Sequence, residues 1–202
     1  MTAALRLRAL SGDEQGAAMV EFGLLLLPLM MMIMGAGEMG YRSYVNAQLQ
    51  GSLNDVARTV VVEKPELNGN GTMEQRVESA IKDRMKPLLQ DGQWNFKIQN
   101  YTGFSAINKP EPLVNDKNGN GKYDKDDCWV DTRNNQQFDT DGGRAGLGGA
   151  DDVVVYDVSL TAKNLFPVMG LFGAGPTFTV TATALVRTQP YAMQREPEVV
   201  CG

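Results

Sequence analysis

The 202-residue chain contains no histidine. Histidine-based catalytic triads, histidine general bases and histidine-ligated zinc are thereby excluded, which removes many hydrolase and metalloenzyme classes at one step. Cysteine is nearly absent: Cys128 and Cys201 lie far apart and form no CxxC pair. In an oxidising compartment they would join as a disulfide closing a long loop, worth about 4 kcal/mol in chain-entropy terms; two free thiols are the alternative. Basic residues are outnumbered, giving a formal net charge of -5, so no nucleic-acid surface is expected. No nucleophile elbow, P-loop or paired-lysine motif occurs, and Ser105 and Ser159 lack a credible base, so the chain is not read as an enzyme.

Charge itself is scarcest from Ala17 to Gly37, where Glu21 is the only ionisable side chain. As a helix this run is about 30 Å long, enough to cross a bilayer core. A carboxylate at its mouth needs a partner, since an acidic side chain at mid-membrane costs roughly 2.5 to 3.5 kcal/mol on insertion scales. If the chain were cut after Gly16, the new amino group of Ala17 would lie four residues before Glu21, on the same helix face, and would answer such a carboxylate on its own or a neighbouring chain. Pro28 inside the run is expected to kink or loosen the helix. Beyond it, Glu38 and Arg42 are spaced to pair, Tyr41 and Tyr44 suit a membrane interface, and Val45, Leu49, Leu53, Val56 and Val60 continue an apolar stripe. One helix over 17–62 would measure roughly 70 Å, membrane-spanning over about 17–37, and its second half requires a cover.

Pro65 and Asn68-Gly69-Asn70-Gly71 end that helix. Thr72 reads as an N-cap answered by Gln75, opening a helix with Val77, Ile81, Met85 and Leu88 on one face that stops near Lys86 or Leu89, beside Pro87. Alternation predicts strands at Trp94–Tyr101, Asp152–Ala162 and Thr177–Arg187, the last two separated by an apolar loop, Leu165–Gly175. Three or four antiparallel strands beside an unpartnered helix half give an α+β fold: a long N-terminal transmembrane helix with a small antiparallel sheet packed on its C-terminal half. The domains are then 1–16, 17–62 and 63–202, the last with an Asp/Asn/Gly-rich loop at 116–151.

That loop is chemically the most specific part of the domain. From Asp116 to Asp127 it places Asp116, Asn118, Asn120, Asp124 and Asp127 at positions 1, 3, 5, 9 and 12, glycine at 6, and the Lys122 carbonyl at 7. This is the order in which an EF-hand-like loop wraps calcium, although Asp replaces the usual glutamate at position 12 and no helix flanks it. Fifteen residues on, Asp131–Gly142 repeats the pattern in worn form, with Asp131, Asn135, Phe138 and Asp139 matching Asp116, Asn120, Tyr123 and Asp124. Arg133 and Gln136 take a ligand position and the glycine position, so this copy is not expected to bind calcium alone; its acids are expected at most to complete the first site. A loop held by side-chain turns, without metal, is the other reading of the region.

Glycine, four residues, glutamate, an aromatic and then an apolar helix resembles the prepilin-peptidase site of type IV pilin-like proteins. More narrowly, Gly16–Phe22, the Leu-rich run with Pro28, Gly35–Gly40 with Glu38, and Asp55-Val56-Ala57-Arg58 resemble the TadE/TadG-like pseudopilins of the Tad (Flp) pilus machinery. The segments 116–124, 142–155 and Val186–Tyr191 are similar to that family's later chain. The resemblance implies a minor pseudopilin that is a structural subunit in Tad-pilus assembly. Its leader, residues 1–16 with Arg6, Arg8, Asp13 and Glu14, would be removed after Gly16 by a prepilin peptidase that reads Gly16, Ala17, Glu21 and Phe22. Ala17, Glu21 and Pro28 would serve subunit assembly. Its partners would be the peptidase, other pilin-like subunits and the assembly platform. It would sit single-pass in a bacterial inner membrane, N-terminus cytoplasmic, with its C-terminal domain periplasmic or extracellular. The alternative is a permanently anchored envelope protein whose calcium loop supports adhesion or ligand capture.

Overall fold

A computed structural model describes residues 15–61, 67, 69–89, 91–166, 170, 173, 175–190 and 192–202. Most of the expected leader, together with Val62, Pro65, Asn68, Pro167 and Tyr191, lies outside the described residues. The elements run α1 (Gln15–Thr59), α2 (Met73–Met85), β1 (Gln93–Tyr101), β2 (Leu113–Asn115), β3 (Cys128–Asp131), β4 (Arg144–Ala145), β5 (Val153–Lys163), β6 (Thr177–Arg187) and β7 (Glu198–Cys201). They form two compact units, one from α1 up to Ser43 with Lys163–Phe178, the other from Tyr44–Ala162 with Thr179–Gly202.

In the first unit α1 is an apolar rod whose described side chains lie mostly in the open, among them Phe22, Leu24 and Met32. The helix runs continuously through Pro28, which deletes one backbone donor. The helix is long and apolar enough to cross a membrane, and none of its most apolar window is buried.

In the second unit the expected stripe is the core. Val45, Leu49, Leu53 and Val56 are fully buried and Val60 nearly so, each worth about 1.5–3 kcal/mol if its side chain is fully removed from water. The helix ends at Thr59, with Val60 and Val61 in a turn, three residues earlier than expected; the Val61 carbonyl accepts instead from the Gln189 amide just past β6. α2 begins with the expected reciprocal cap between Thr72 and Gln75 and buries Val77, Ile81 and Met85. Leu88 falls in the following turn, because Pro87 cannot continue the helix. The Ser52 hydroxyl meets the Met85 sulfur, and the Arg84 guanidinium donates to the Ser52 carbonyl, so α2 lies against α1.

The main sheet has the order β4-β1-β5-β6. β1 pairs antiparallel with β5 through Trp94 opposite Leu160 to Tyr101 opposite Val153. Thr161 faces Thr179 and Thr183 faces Asp157 across β5 and β6, which makes that pair antiparallel too. Val154, Tyr156, Val158 and Leu160 of β5 and Phe178, Val180, Ala182 and Ala184 of β6 are buried, as alternation requires.

A second sheet, β2-β3-β7, escapes the sequence reading. Its strands have three or four residues, below the length at which alternation is readable, and β7 comes from the C-terminal end. Here Cys128 and Cys201 are register partners joined by a disulfide, so the free-thiol alternative does not hold. Closing a loop with sequence separation 73, the bond contributes about 4 kcal/mol by restricting the unfolded chain.

Candidate functional site

Gly16, Ala17, Glu21, Phe22 and Pro28 all lie on the exposed part of α1, with Gly16 in its first turn. Ala17 and Glu21 are one helical turn apart, as their spacing requires. The next charge along the chain, Glu38, behaves differently and is 1% exposed. Its carboxylate accepts the Arg42 guanidinium at 3.0 Å and, on the other oxygen, the backbone amides of Leu165 and Phe166 at 2.9 and 3.0 Å. Arg42 also donates to the Asn164 side chain and lies over the Phe178 ring, on which Tyr41 packs edge-on. Burial opposes ionisation of Glu38, yet the Phe166 amide, the Arg42 hydrogen bond and the Leu165 amide together hold its carboxyl below the ordinary glutamate range. The pairing with Arg42 is legible from spacing; the two long-range amides are not.

The Asp/Asn/Gly region folds as two loops on one plan. In the first, Asp116 accepts the amides of Gly119 and Gly121, Asn120 accepts the Lys122 amide, and the Asn118 and Asn120 side-chain amides converge on Asp124 at 2.6 and 2.8 Å. In the second, Asp131 accepts the amides of Asn135 and Gln136, Asn135 accepts the Gln137 amide, and Asn135 and Arg133 converge on Asp139 at 2.8 and 3.1 Å. Gly119 and Gly121 have φ of 69° and 72°, and at the equivalent places Asn134 and Gln136 have 57° and 59°. The backbone therefore follows the same left-handed turns with and without glycine. The matched aromatics Tyr123 and Phe138 stack at 4.3 Å between centroids, and Trp129 meets both rings edge-on.

A carboxylate closes each loop. Asp127 accepts the Lys117 and Asp124 amides; Glu111 accepts the Thr132 and Asp139 amides at the corresponding positions, together with the Thr132 hydroxyl and the Arg133 amide. Both side chains are buried. Glu111 is absent from the sequence reading, since it lies outside the repeat; its only signal is its place between Pro110 and Pro112.

Of the expected metal ligands, the structure brings Asn118, Asn120 and Asp124 together. Asp116 and Asp127 are committed to loop amides, and among the described residues no three acidic or cysteine side chains are grouped to hold an ion. Asp131 and Asp139 turn into their own loop, and Asp141 accepts the Tyr101 hydroxyl at 2.9 Å. Burial and that bond push the Tyr101 phenol up to about 12.

Among the described residues one helix, α1, is long and apolar enough to cross a membrane, which suggests single-pass anchoring. Residues 16–58 match the family described as TadE-like protein, so α1 is a TadE-like segment. No curated protein and no solved structure matches the chain.

Proposed function

We propose that the protein is a minor pseudopilin, a structural subunit in the assembly of a Tad-type pilus, matured by a prepilin peptidase that cuts after Gly16. The observation that carries this reading is the TadE-like match over 16–58 on a helix whose apolar residues are exposed and whose Glu21 stands one turn after Ala17. After cleavage the Ala17 amino group answers a Glu21 carboxylate, most favourably that of an adjacent subunit, because a charge in lipid requires a partner. The helix then packs with those of other pilin-like subunits at the assembly platform. The N-terminus is cytoplasmic and the domain beyond α1 is periplasmic or extracellular, the oxidising side on which a disulfide such as Cys128–Cys201 persists. This reading gives the chain no catalytic role. Intact mass of the membrane-extracted protein, produced with and without the cognate peptidase, tests it. Loss of residues 1–16 is expected only with the peptidase and not in Gly16→Ala; a chain that keeps its leader beside active peptidase overturns the reading.

Calcium is the ion proposed for the first loop. Asn118, Asn120 and Asp124 already converge, and turning over the two amides presents oxygens where their nitrogens now meet Asp124. Asp116, Asp127 and the Lys122 carbonyl supply the remaining oxygens of the sequence pattern. The ion would staple the loop and supply no reaction chemistry. A melting temperature that rises with calcium and falls with chelator is expected; one unmoved by either removes the ion from the account.

A further inference from the structure

We propose that Leu165, at the start of the connection between β5 and β6, meets the membrane surface beside α1 and is a second lipid contact of the chain. The inference rests on the anchoring of α1 in a membrane and adds a contact that anchoring alone does not require.

Three observations carry it. First, no charged residue occurs between Lys163 and Arg187, and the eight residues Leu165 to Phe172 include six large apolar side chains. A solvent-facing connection is ordinarily polar and rich in turn formers. Second, the start of this connection is fixed at the end of the uncharged helical run. Glu38 is the first charge after Glu21, and its carboxylate holds the Leu165 and Phe166 amides, while the Phe166 ring lies against Gly37, where an added Cβ would sit 3.1 Å from the ring. Leu165 therefore lies at the level where the span ends. Third, that level has the side chains of a bilayer boundary. Leu165 is 54% exposed, Lys163 is exposed beside it, and the half-buried Tyr41 and Arg42 stand about one turn of helix beyond the apolar run. Cations and aromatic rings there match anionic headgroups and the interfacial zone. The partner is thus a lipid surface, continuous with the one around α1.

The test places a nitroxide on the full chain, disulfide intact, in phosphatidylcholine–phosphatidylglycerol vesicles, at Leu165→Cys, at Leu27→Cys within the span and at Val114→Cys on the exposed edge of the small sheet. Collision with oxygen, which partitions into lipid, is compared with collision with a water-soluble nickel chelate. Unchanged circular dichroism establishes that each variant folds. The Leu165 label is expected to favour oxygen severalfold over the Val114 label, approaching the Leu27 value. A Leu27 label in lipid with a Leu165 label matching Val114 overturns the inference and leaves anchoring intact. A Leu165 label shielded from both reagents assigns the contact to protein and also overturns it. If the Leu27 label is itself aqueous, the anchoring reading falls and the inference with it.

Discussion

The loops Asp116–Asp127 and Asp131–Gly142 follow one backbone plan with opposite solutions to the same charge problem. Each gathers side chains around an aspartate at position 9. In the first loop the group at position 3 is the neutral Asn118; in the second it is Arg133, whose guanidinium donates to Asp139. The second loop therefore carries its cation covalently, whereas the first fills the place with side-chain amides. The closing carboxylate differs in the same sense. Asp127 is local to its loop, while Glu111 reaches in from a segment fixed by two prolines and gathers four donors where Asp127 gathers two. The second loop, whose sequence departs further from the calcium pattern, has the denser hydrogen-bond closure, so a worn sequence repeat need not mean a worn structure.

Removing those closures is the strongest way to break the comparison. Glu111→Ala strands four donors at a buried position and is expected to destabilise the protein by about 3 kcal/mol, against about 2 kcal/mol for Asp127→Ala, since each buried donor left unmade costs roughly 1–3 kcal/mol and such losses are not additive. Urea unfolding of the detergent-solubilised chain, followed by Trp129 fluorescence, measures both. A larger loss at Asp127 would show that the denser closure is not the stronger one.

How far these features are legible in the sequence depends on the range of the interaction. The stripe Val45 to Val60, the Thr72–Gln75 cap and the two long strands are periodic or local, and the sequence shows them because each residue's neighbours in space are its neighbours in the chain. The equivalence of Asp116 and Asp131 is readable for the same reason, since a side-chain turn spans only a few residues. Glu111 and the amides of Leu165 and Phe166 are not readable: their hydrogen-bond partners lie 21 or more residues away with no repeating spacing. β7 is hidden by its length, and its place beside β3 is betrayed only by the two cysteines.

Backbone strain gives the next, smaller contrast. Gln136 holds φ of 59° where the first loop has Gly121 at 72°. A side chain in this region costs roughly 1–2 kcal/mol, partly offset because a new glycine loosens the unfolded chain. Gln136→Gly is therefore expected to stabilise by about 0.5 kcal/mol, and Gly121→Ala to destabilise by about 1 kcal/mol. The same unfolding curves report both. If Gln136→Gly destabilises, the Gln136 side chain holds the second loop in a way its backbone does not reveal.

The smallest effect concerns pH. The amides of Gly121 and Gly119 hold the exposed Asp116 carboxyl below its ordinary value of 3.8. Because the folded value is depressed, the stabilisation from these bonds is complete above the ordinary aspartate value and is lost as pH falls through the depressed one. Solvent screening keeps the effect small, so site-resolved titration is the measurement, with Asp116 followed by carbon-13 NMR of its carboxyl. A midpoint below the unfolded-peptide value is expected. Gly121→Ala, which strains the backbone carrying one of the two donors, should move that midpoint back toward the ordinary value. A midpoint indifferent to Gly121→Ala would mean that the amide at position 6 does not restrain the first carboxylate, and the left-handed turn shared by the two loops would then serve only the course of the chain.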